Sequence, residues 1–216
     1  MFLDIPLAPP WLALLALAWG ALVYRAVRAA PWRTLFHNRL GGLYAAATAL
    51  LVALWSLGAG LPKGMDFHLL GLTVFTLMFG APLGILGASV AATATAWWTE
   101  TWQTLPLNAL VMAVWPVALS HGIYRLVHAL LPPHIMLYIF LCGFFNAALT
   151  VTVALATTVA AGLLWGETFP LLRNAWGFLP LYAFAEAFFN GVVITGLVAL
   201  KPQWLQTFDD AIHLPP

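Results

Sequence analysis

The sequence predicts an all-α, polytopic membrane protein, a bundle of about seven transmembrane helices with almost no soluble domain. Of its 216 residues, 63% are hydrophobic and only 7% are charged, whereas a soluble chain carries about 25% charged residues. So few charges cannot cover a water-facing surface, and lipid must therefore surround most of the chain. The apolar runs are about 18 to 30 residues long and lack period-two alternation, which favours helices over a barrel. We therefore expect residues 1–216 to form a single integral membrane domain.

Composition and motif content exclude several classes of protein. The net charge of +1 offers no strongly basic face, so no nucleic-acid partner is expected. Cys142 is the only cysteine, which excludes an internal disulfide and a multi-cysteine metal site. The sequence has no Walker-type glycine loop, no His-Glu-x-x-His pattern and no Gly-x-Ser-x-Gly turn. We therefore expect no enzymatic activity and no organic cofactor, and an ATP-driven step would need an ATPase on another chain.

Apolar segments give candidate spans near residues 11–29, 40–60, 67–98, 105–130, 134–165 and 177–200. The first is interpreted as a retained span and not a signal peptide, because Asp4 replaces a basic leader and the arginines follow the apolar stretch. The third is too long for one perpendicular helix, and its Gly80-Ala81-Pro82-Leu83-Gly84 sequence predicts a break. Dividing it there gives seven spans, with a short first piece of the kind that often marks a binding site. A single tilted, kinked helix would give six.

Positively charged residues predict the orientation. Four arginines crowd the loop after the first span, which should therefore be cytoplasmic. With seven spans, six of the eight lysines and arginines lie on that side, whereas six spans place only five there. The count favours seven spans in the cell membrane, an outward N-terminus and a short cytoplasmic tail at about 201–216. The residues placed inside are Arg25, Arg28, Arg33, Arg39, Arg125 and Lys201.

Glu186 and Asn190 lie within the last span, four residues apart and hence on one helix face. An ionisable group inside a bilayer is costly and needs a partner or a function. Glu186 could belong to a cation path, a proton relay or a coupling site for another subunit. It could equally be a neutral or paired group that ties helices together, and the sequence leaves both interpretations open.

His68 opens the third apolar segment, two residues after Asp66. A histidine beside a carboxylate at the outer mouth of a bundle is a candidate ligand for a first-row transition metal, since imidazole suits nickel, cobalt, copper and zinc. The alternative is a histidine that only forms hydrogen bonds at the membrane interface.

His121, Arg125 and His128 share one face of the fifth predicted span. That stripe could hold haem or a metal, or Arg125 and His128 could reach from the helix to the cytoplasmic interface. The second interpretation is favoured, because no second helix offers an obvious mid-membrane histidine. His37, His134 and His213 lie in polar loops or turns, where we expect only solvent contacts.

Three blocks of sequence, in order along residues 60–205, carry a family resemblance. They are His68-Leu69-Leu70-Gly71 with Phe79-Gly80-Ala81-Pro82; Leu105-Pro106-Leu107-Asn108 through Met112-Ala113; and Ala185-Glu186-Ala187 through Gly191 to Lys201-Pro202. These blocks resemble the His-Leu-x-Gly and Gly-Pro motifs, the Asn-x-x-Asn-Met-Ala motif and the late Gly-Glu-x-Leu-Ile-Thr helix of the CbiM/NikM type. That family is the membrane-embedded, substrate-specific component of energy-coupling-factor (ECF) transporters for cobalt and nickel.

The resemblance implies a divalent metal cargo captured at the outer face. It also implies a transmembrane coupling subunit and two cytoplasmic ATPases as partners, with the lipid bilayer around them. In the family, the metal binds the N-terminal amine, a histidine at position two and a second histidine, which maps onto His68. Phe2 stands at position two here and cannot ligate a metal, so the chain resembles a divergent branch. A substitute site would combine His68 and Asp66 with Asp4 or Glu100, and its oxygens would favour harder ions.

Two functions of different classes follow from the sequence. The first is a metal-binding permease component of a transporter, in which Asn108, Glu186 and Asn190 line the transport path or serve as structural polar groups. The second is a membrane redox or assembly factor that handles haem or metal through His121, His128 and His68. A Soret band would favour the second, and co-purification of an ATPase would favour the first.

Overall fold

Helices make up nearly all of the computed structural model, which describes residues 3–5, 7–37, 40–57, 59–60, 66–165 and 170–213, with backbone only at 59–60, 66–67, 170–175 and 210. The helices are α1 (Pro9–Ala29), α2 (Trp32–His37), α3 (Leu40–Ser56), α4 (Leu72–Thr99), α5 (Leu105–Asn108), α6 (Trp115–Leu130), α7 (Ile135–Leu137), α8 (Asn146–Leu164), α9 (Pro170–Leu200) and α10 (Asp210–His213). Short 3₁₀ turns lie at Trp102–Thr104 and Pro202–Trp204, and π-helical turns at Ala109–Val114 and Tyr138–Phe145. Two short strands, β1 (Ala59–Gly60) and β2 (Asp66–Phe67), pair antiparallel before α4.

The helices are long and apolar enough to cross a bilayer. By length and composition, the described residues contain five such segments, one of which folds back on itself at Gly80, and α3 adds a shorter apolar helix of 17 residues. The five segments are Pro9–Ala29, Leu72–Thr99, Trp102–Leu130, Ile135–Leu164 and Trp176–Leu200. The predicted multi-pass helical membrane protein is therefore confirmed.

The segment α4 is a hairpin of two helical arms and not one straight helix. At Gly80 the backbone has φ 76° and ψ 170°, a conformation that is neither helical nor favourable for any residue with a side chain. A Cβ atom on Gly84 would lie 3.4 Å from Thr76 Oγ1, and one on Gly87 would collide with the ring of Phe75. Residues 12 apart in a straight helix are about 18 Å apart. The short arm, residues 72–79, therefore runs antiparallel to the long arm, residues 81–99, and the predicted break is confirmed.

Leu3 and His213, the first and last residues that the structure describes, lie on opposite faces of the bundle. Leu3 is bonded to Asn108, and α6, which follows Asn108, ends beside the tail, where the rings of His128 and His213 are 6.1 Å apart. We call these the N-terminal face and the tail face. This placement is consistent with an odd number of spans, and the number of seven stays a prediction. The side of the membrane that each face contacts stays a prediction.

The hairpin forms the centre of the bundle. In its most apolar stretch 67% of the residues are buried, against 6% for α1, which therefore packs at the periphery. The long arm contributes a row of fully buried small residues, and small side chains let membrane helices approach closely. These are Ala88, Ala91, Ala92 and Ala96. The hairpin is thus held in place by the helices that surround it.

Candidate metal-binding site

The backbone of residues 68–71, just before the short arm, is held by side chains from two other helices. The hydroxyl of Tyr182 in α9 donates a hydrogen bond to the carbonyl oxygen of His68 at 2.7 Å. The indole Nε1 of Trp55, in the last turn of α3, donates to the carbonyl oxygen of Leu70 at 3.0 Å. Both bonds are directed at the main chain, so they fix its path whatever side chains it carries.

The carboxyl group of Glu186, one turn after Tyr182 in α9, binds the amide groups of the same segment. Its Oε2 accepts the amide N–H of Leu70 at 2.9 Å, and its Oε1 accepts the N–H of Gly71 at 2.7 Å. The first amides of a helix have no partner within the helix, and a negative group is favourable at that end. Glu186 therefore caps the short arm, which accounts for a glutamate that is only 2% exposed inside an apolar helix.

Asn190 extends this cap by one helical turn. Its Oδ1 accepts the N–H of Val74 at 2.8 Å, and its Nδ2 donates to Oε1 of Glu186 at 3.0 Å. Because Tyr182, Glu186 and Asn190 are spaced four residues apart, they form one stripe along α9. The stripe, together with Trp55, is called the backbone clamp below.

Gly71 has the backbone shape that the clamp requires. Its φ is +62°, a left-handed conformation that side chains disfavour. A Cβ atom there would lie 3.1 Å from a methyl group of Leu54 and 3.5 Å from the ring of Phe189. Conformation and space both require glycine at this position of the predicted His-Leu-Leu-Gly block.

The imidazole of His68 is buried at the start of the clamped segment. It is 4% exposed, and its ring lies 5.3 Å from the ring of Trp55. Trp55 thus both contacts the imidazole and holds the main chain two residues further on. The site therefore presents a histidine whose backbone and ring are both fixed by neighbours.

Asn108 anchors the N-terminal segment of the chain. Its Oδ1 accepts the N–H of Leu3 at 2.9 Å, and its Nδ2 donates to the carbonyl oxygen of the same residue, also at 2.9 Å. Leu3 and Ile5 are buried on either side of an exposed Asp4. Asn108 therefore pairs with the main chain of Leu3 as a neighbouring β-strand would. This pairing keeps Asp4 at the N-terminal face.

The other predicted ligands lie at the N-terminal face or outside the described side chains. Glu100 is exposed and ends the long arm with φ 58°, and Asp4 is also exposed. The side chain of Asp66 and the whole of Phe2 lie outside the described residues. Among the side chains that the structure describes, no three histidine, cysteine or acidic groups converge on one point. The four-residue site stays a prediction.

The histidines of α6 lie on one side of the helix, as predicted. His121 and His128 both contact the ring of Tyr124, with centroids 5.9 Å apart in each pair. His128 and Arg125 are exposed near the tail face, as the interface interpretation requires.

One expectation about the tail was wrong. His213 was predicted to contact only solvent, but it is 3% exposed and packs against Phe208 and Tyr138. Phe208 lies in the same tail, but Tyr138 is brought to it from a distant part of the sequence by folding, which the tail sequence alone does not reveal.

Sequence reasoning also missed Trp55 and Tyr182, half of the backbone clamp. Both are aromatic residues, which in a membrane protein are usually assigned to the interface or the core. Tyr182 carried a signal, since it lies four residues before Glu186 on the same helix face. No comparable signal marked Trp55, because it lies on α3 and the other members of the clamp lie on α9.

Comparison with known proteins gives the family and the fold. The model of the CbiM family, described as the cobalt uptake substrate-specific transmembrane region, matches residues 3–204. A crystal structure of a transition metal transporter has a similar fold, with a TM-score of 0.74 over 93% of each chain at 19% sequence identity. No curated protein matches the sequence. Because the family model covers nearly the whole sequence, the chain belongs to the CbiM family of cobalt-uptake transmembrane proteins.

Proposed function

We propose that this chain is the cargo-binding membrane component of an ECF-type uptake transporter for a divalent transition metal ion, cobalt or nickel, with His68 as a ligand. The observation that carries the proposal is the backbone clamp, which holds the main chain around a buried histidine: Tyr182 and Trp55 donate hydrogen bonds to its carbonyl groups, and Glu186 accepts them from its amides. Selection among first-row ions depends on ligand type and geometry, and groups behind the ligands usually fix that geometry.

Carboxylates near the N-terminal face are the proposed additional ligands. Asp66 is two residues from His68, and Asp4 is kept at that face because Asn108 binds the adjacent Leu3. Glu100 is the remaining candidate. A site with one imidazole and several carboxylate oxygens would accept manganese or zinc more readily than an all-nitrogen site would.

The energy for transport would come from partner chains. The sequence has no nucleotide-binding motif, and the family is a substrate-specific component by its description. We therefore propose a transmembrane coupling subunit and cytoplasmic ATPases that act at the tail face, in the cell membrane, with the N-terminal face outward.

Isothermal titration of the detergent-purified protein tests the role of His68. Wild type and His68→Ala are titrated with Co²⁺, Ni²⁺, Zn²⁺ and Mn²⁺. Loss of a ligand should weaken binding of the preferred ion at least about 100-fold, more than loss of a group behind a ligand. Binding should also weaken as the pH falls, because protons compete with the metal for imidazole and carboxylate.

His37→Ala is the matched control, because His37 is an exposed histidine on α2, away from the clamp. It should bind the ion as wild type does. Equal affinities of wild type and His68→Ala would contradict the proposal. A Soret band in the purified protein, lost in His121→Ala, would instead favour the haem-handling alternative.

A further inference from the structure

The far end of the short arm is held by the C-terminal tail. The break at Gly80 leaves the last carbonyl groups of the arm without helical partners. The hydroxyl of Thr207 donates to the carbonyl oxygen of Leu77 at 2.8 Å, and the N–H of Gln206 donates to that of Met78 at 3.2 Å. The tail thus supplies the donors that a continuous helix would have provided.

Thr207 is itself fixed by a second hydrogen bond. Its oxygen lies 2.7 Å from the hydroxyl of Tyr138. A hydroxyl carries one proton, and that of Thr207 is already donated to Leu77, so Tyr138 must be the donor here. On either side of this bond Leu205 and Phe208 are buried, at 2% and 8% exposure. The tail is therefore packed against the bundle.

One continuous stretch of chain, residues 182–207, binds the short arm at both ends. Residues Tyr182, Glu186 and Asn190 of α9 bind its beginning. The chain then leaves α9 at Leu200, turns at Pro202–Trp204 and binds its end through Gln206 and Thr207. The arm between these contacts is eight residues, or about 12 Å of helix.

We propose that Thr207 is a positioning residue for the His68 site, acting from the opposite end of the short arm. A helix of two turns moves as a unit, so the tail fixes its position along its own axis. A shift of about 1 Å would lengthen the bond between Glu186 and Leu70 from 2.9 Å beyond hydrogen-bond range. The tail face and the metal site are thereby mechanically connected. The consequence for metal binding rests on the proposed function.

Hydrogen exchange measured by mass spectrometry in nanodiscs tests the connection without metal. Thr207→Val removes the hydroxyl and keeps the shape, and Thr207→Ser restores the hydroxyl. Thr195→Val is the matched control, because Thr195 donates only to Gly191 within α9. In Thr207→Val we expect amide exchange across residues 68–74 to rise about tenfold, the effect of one lost buried hydrogen bond. Thr207→Ser and Thr195→Val should exchange as wild type does.

Metal titration of the same variants gives the second measurement. Thr207→Val should bind the ion several-fold more weakly, with recovery in Thr207→Ser. Faster exchange confined to residues 77–80 and 201–213, with 68–74 unchanged, would overturn the proposal. If the wild type binds no metal but the exchange pattern is as expected, the connection stands and the proposed cargo is wrong.

Discussion

Two buried polar side chains, Glu186 and Asn108, both bind the main chain of a distant segment, but they do so in different ways. Glu186 offers only acceptors, and three N–H donors converge on them, two from the backbone of Leu70 and Gly71 and one from Asn190. Asn108 offers both kinds of group: its oxygen accepts the N–H of Leu3, and its NH₂ donates to the C=O of Leu3 and to the hydroxyl of Thr104.

The difference reflects the kind of segment that is held. The start of a helix presents several amide donors and no free carbonyls, and a carboxyl group is complementary to it. An extended residue presents one donor and one acceptor, and a primary amide is complementary to that. Glu186 therefore holds the centre of the bundle, whereas Asn108 holds an extended segment at the N-terminal face.

Removing the carboxyl group should have the largest effect. Glu186→Leu leaves the amides of Leu70 and Gly71 buried and without acceptors. Each such amide lowers the free energy of unfolding by about 1–3 kcal/mol. We expect the melting temperature in detergent to fall by about 6 to 12 °C, which corresponds to about 3 kcal/mol for a chain of this size. Glu100→Leu changes an exposed glutamate and should shift the melting temperature by less than about 2 °C. Similar shifts in both would show that Glu186 is not a cap.

A substitution in the loop that Glu186 binds should reduce stability by a smaller amount. Gly71→Ala must adopt a left-handed φ and press on Leu54, with a combined cost of about 2 kcal/mol. Scanning fluorimetry should detect a fall of about 4 to 8 °C. Gly20→Ala in α1, where a Cβ would meet nothing within 4 Å, should melt at or above the wild-type temperature. An unchanged Gly71→Ala would mean that the loop can relax away from Leu54.

Asn108→Leu should act locally. The N–H and C=O of Leu3 can turn to solvent when the N-terminal segment detaches, so we expect a loss of only about 1 kcal/mol. Exchange or proteolysis of residues 3–7 should increase strongly while the rest of the chain stays protected. Gln103→Leu, a change at an exposed amide, should leave the N-terminal segment as protected as in wild type. Global destabilisation matching that of Glu186→Leu would remove the contrast between the two anchors.

Tyr182→Phe should reduce stability about as little as Asn108→Leu does. It removes the hydroxyl that donates to the carbonyl oxygen of His68 and leaves the ring in place. The expected loss in the free energy of unfolding is about 1 kcal/mol. We expect a fall of about 2 to 4 °C in melting temperature and weaker metal binding. Tyr24→Phe, at a tyrosine that is 63% exposed, is the control and should match wild type in both. Metal affinity unaffected by Tyr182→Phe would show that the clamp does not need this contact.

The sequence was sufficient to predict much of the fold. Low charge and long apolar runs predict a helical membrane bundle, because a bilayer allows few alternatives. The break at Gly80 was also predictable, since Gly80 and Pro82 interrupt a segment too long for one span. The order of the His68, Asn108 and Glu186 blocks predicted the family.

The contacts of the site were less predictable. Glu186 and Asn190 stood out because they are polar in an apolar helix, but their partners are backbone amides, which every residue carries and no sequence pattern distinguishes. Thr207 was missed for the same reason. Its partner is the carbonyl of Leu77, which is free only because the chain folds back at Gly80.

The unequal arms of the hairpin determine how deep a bound ion would lie. Both arms start at Gly80, but the long arm has 19 residues against 8 for the short arm, a difference of about 16 Å along the helix axis. Residues 68–71 precede the short arm, so a site at His68 would lie between the start of that arm and the rim of the long arm. With the N-terminal face outward, a doubly charged ion bound there would sense part of the transmembrane voltage, worth about 2.3 kcal/mol per charge for each full 100 mV. Occupancy of the site would then depend on the energised state of the cell as well as on metal concentration.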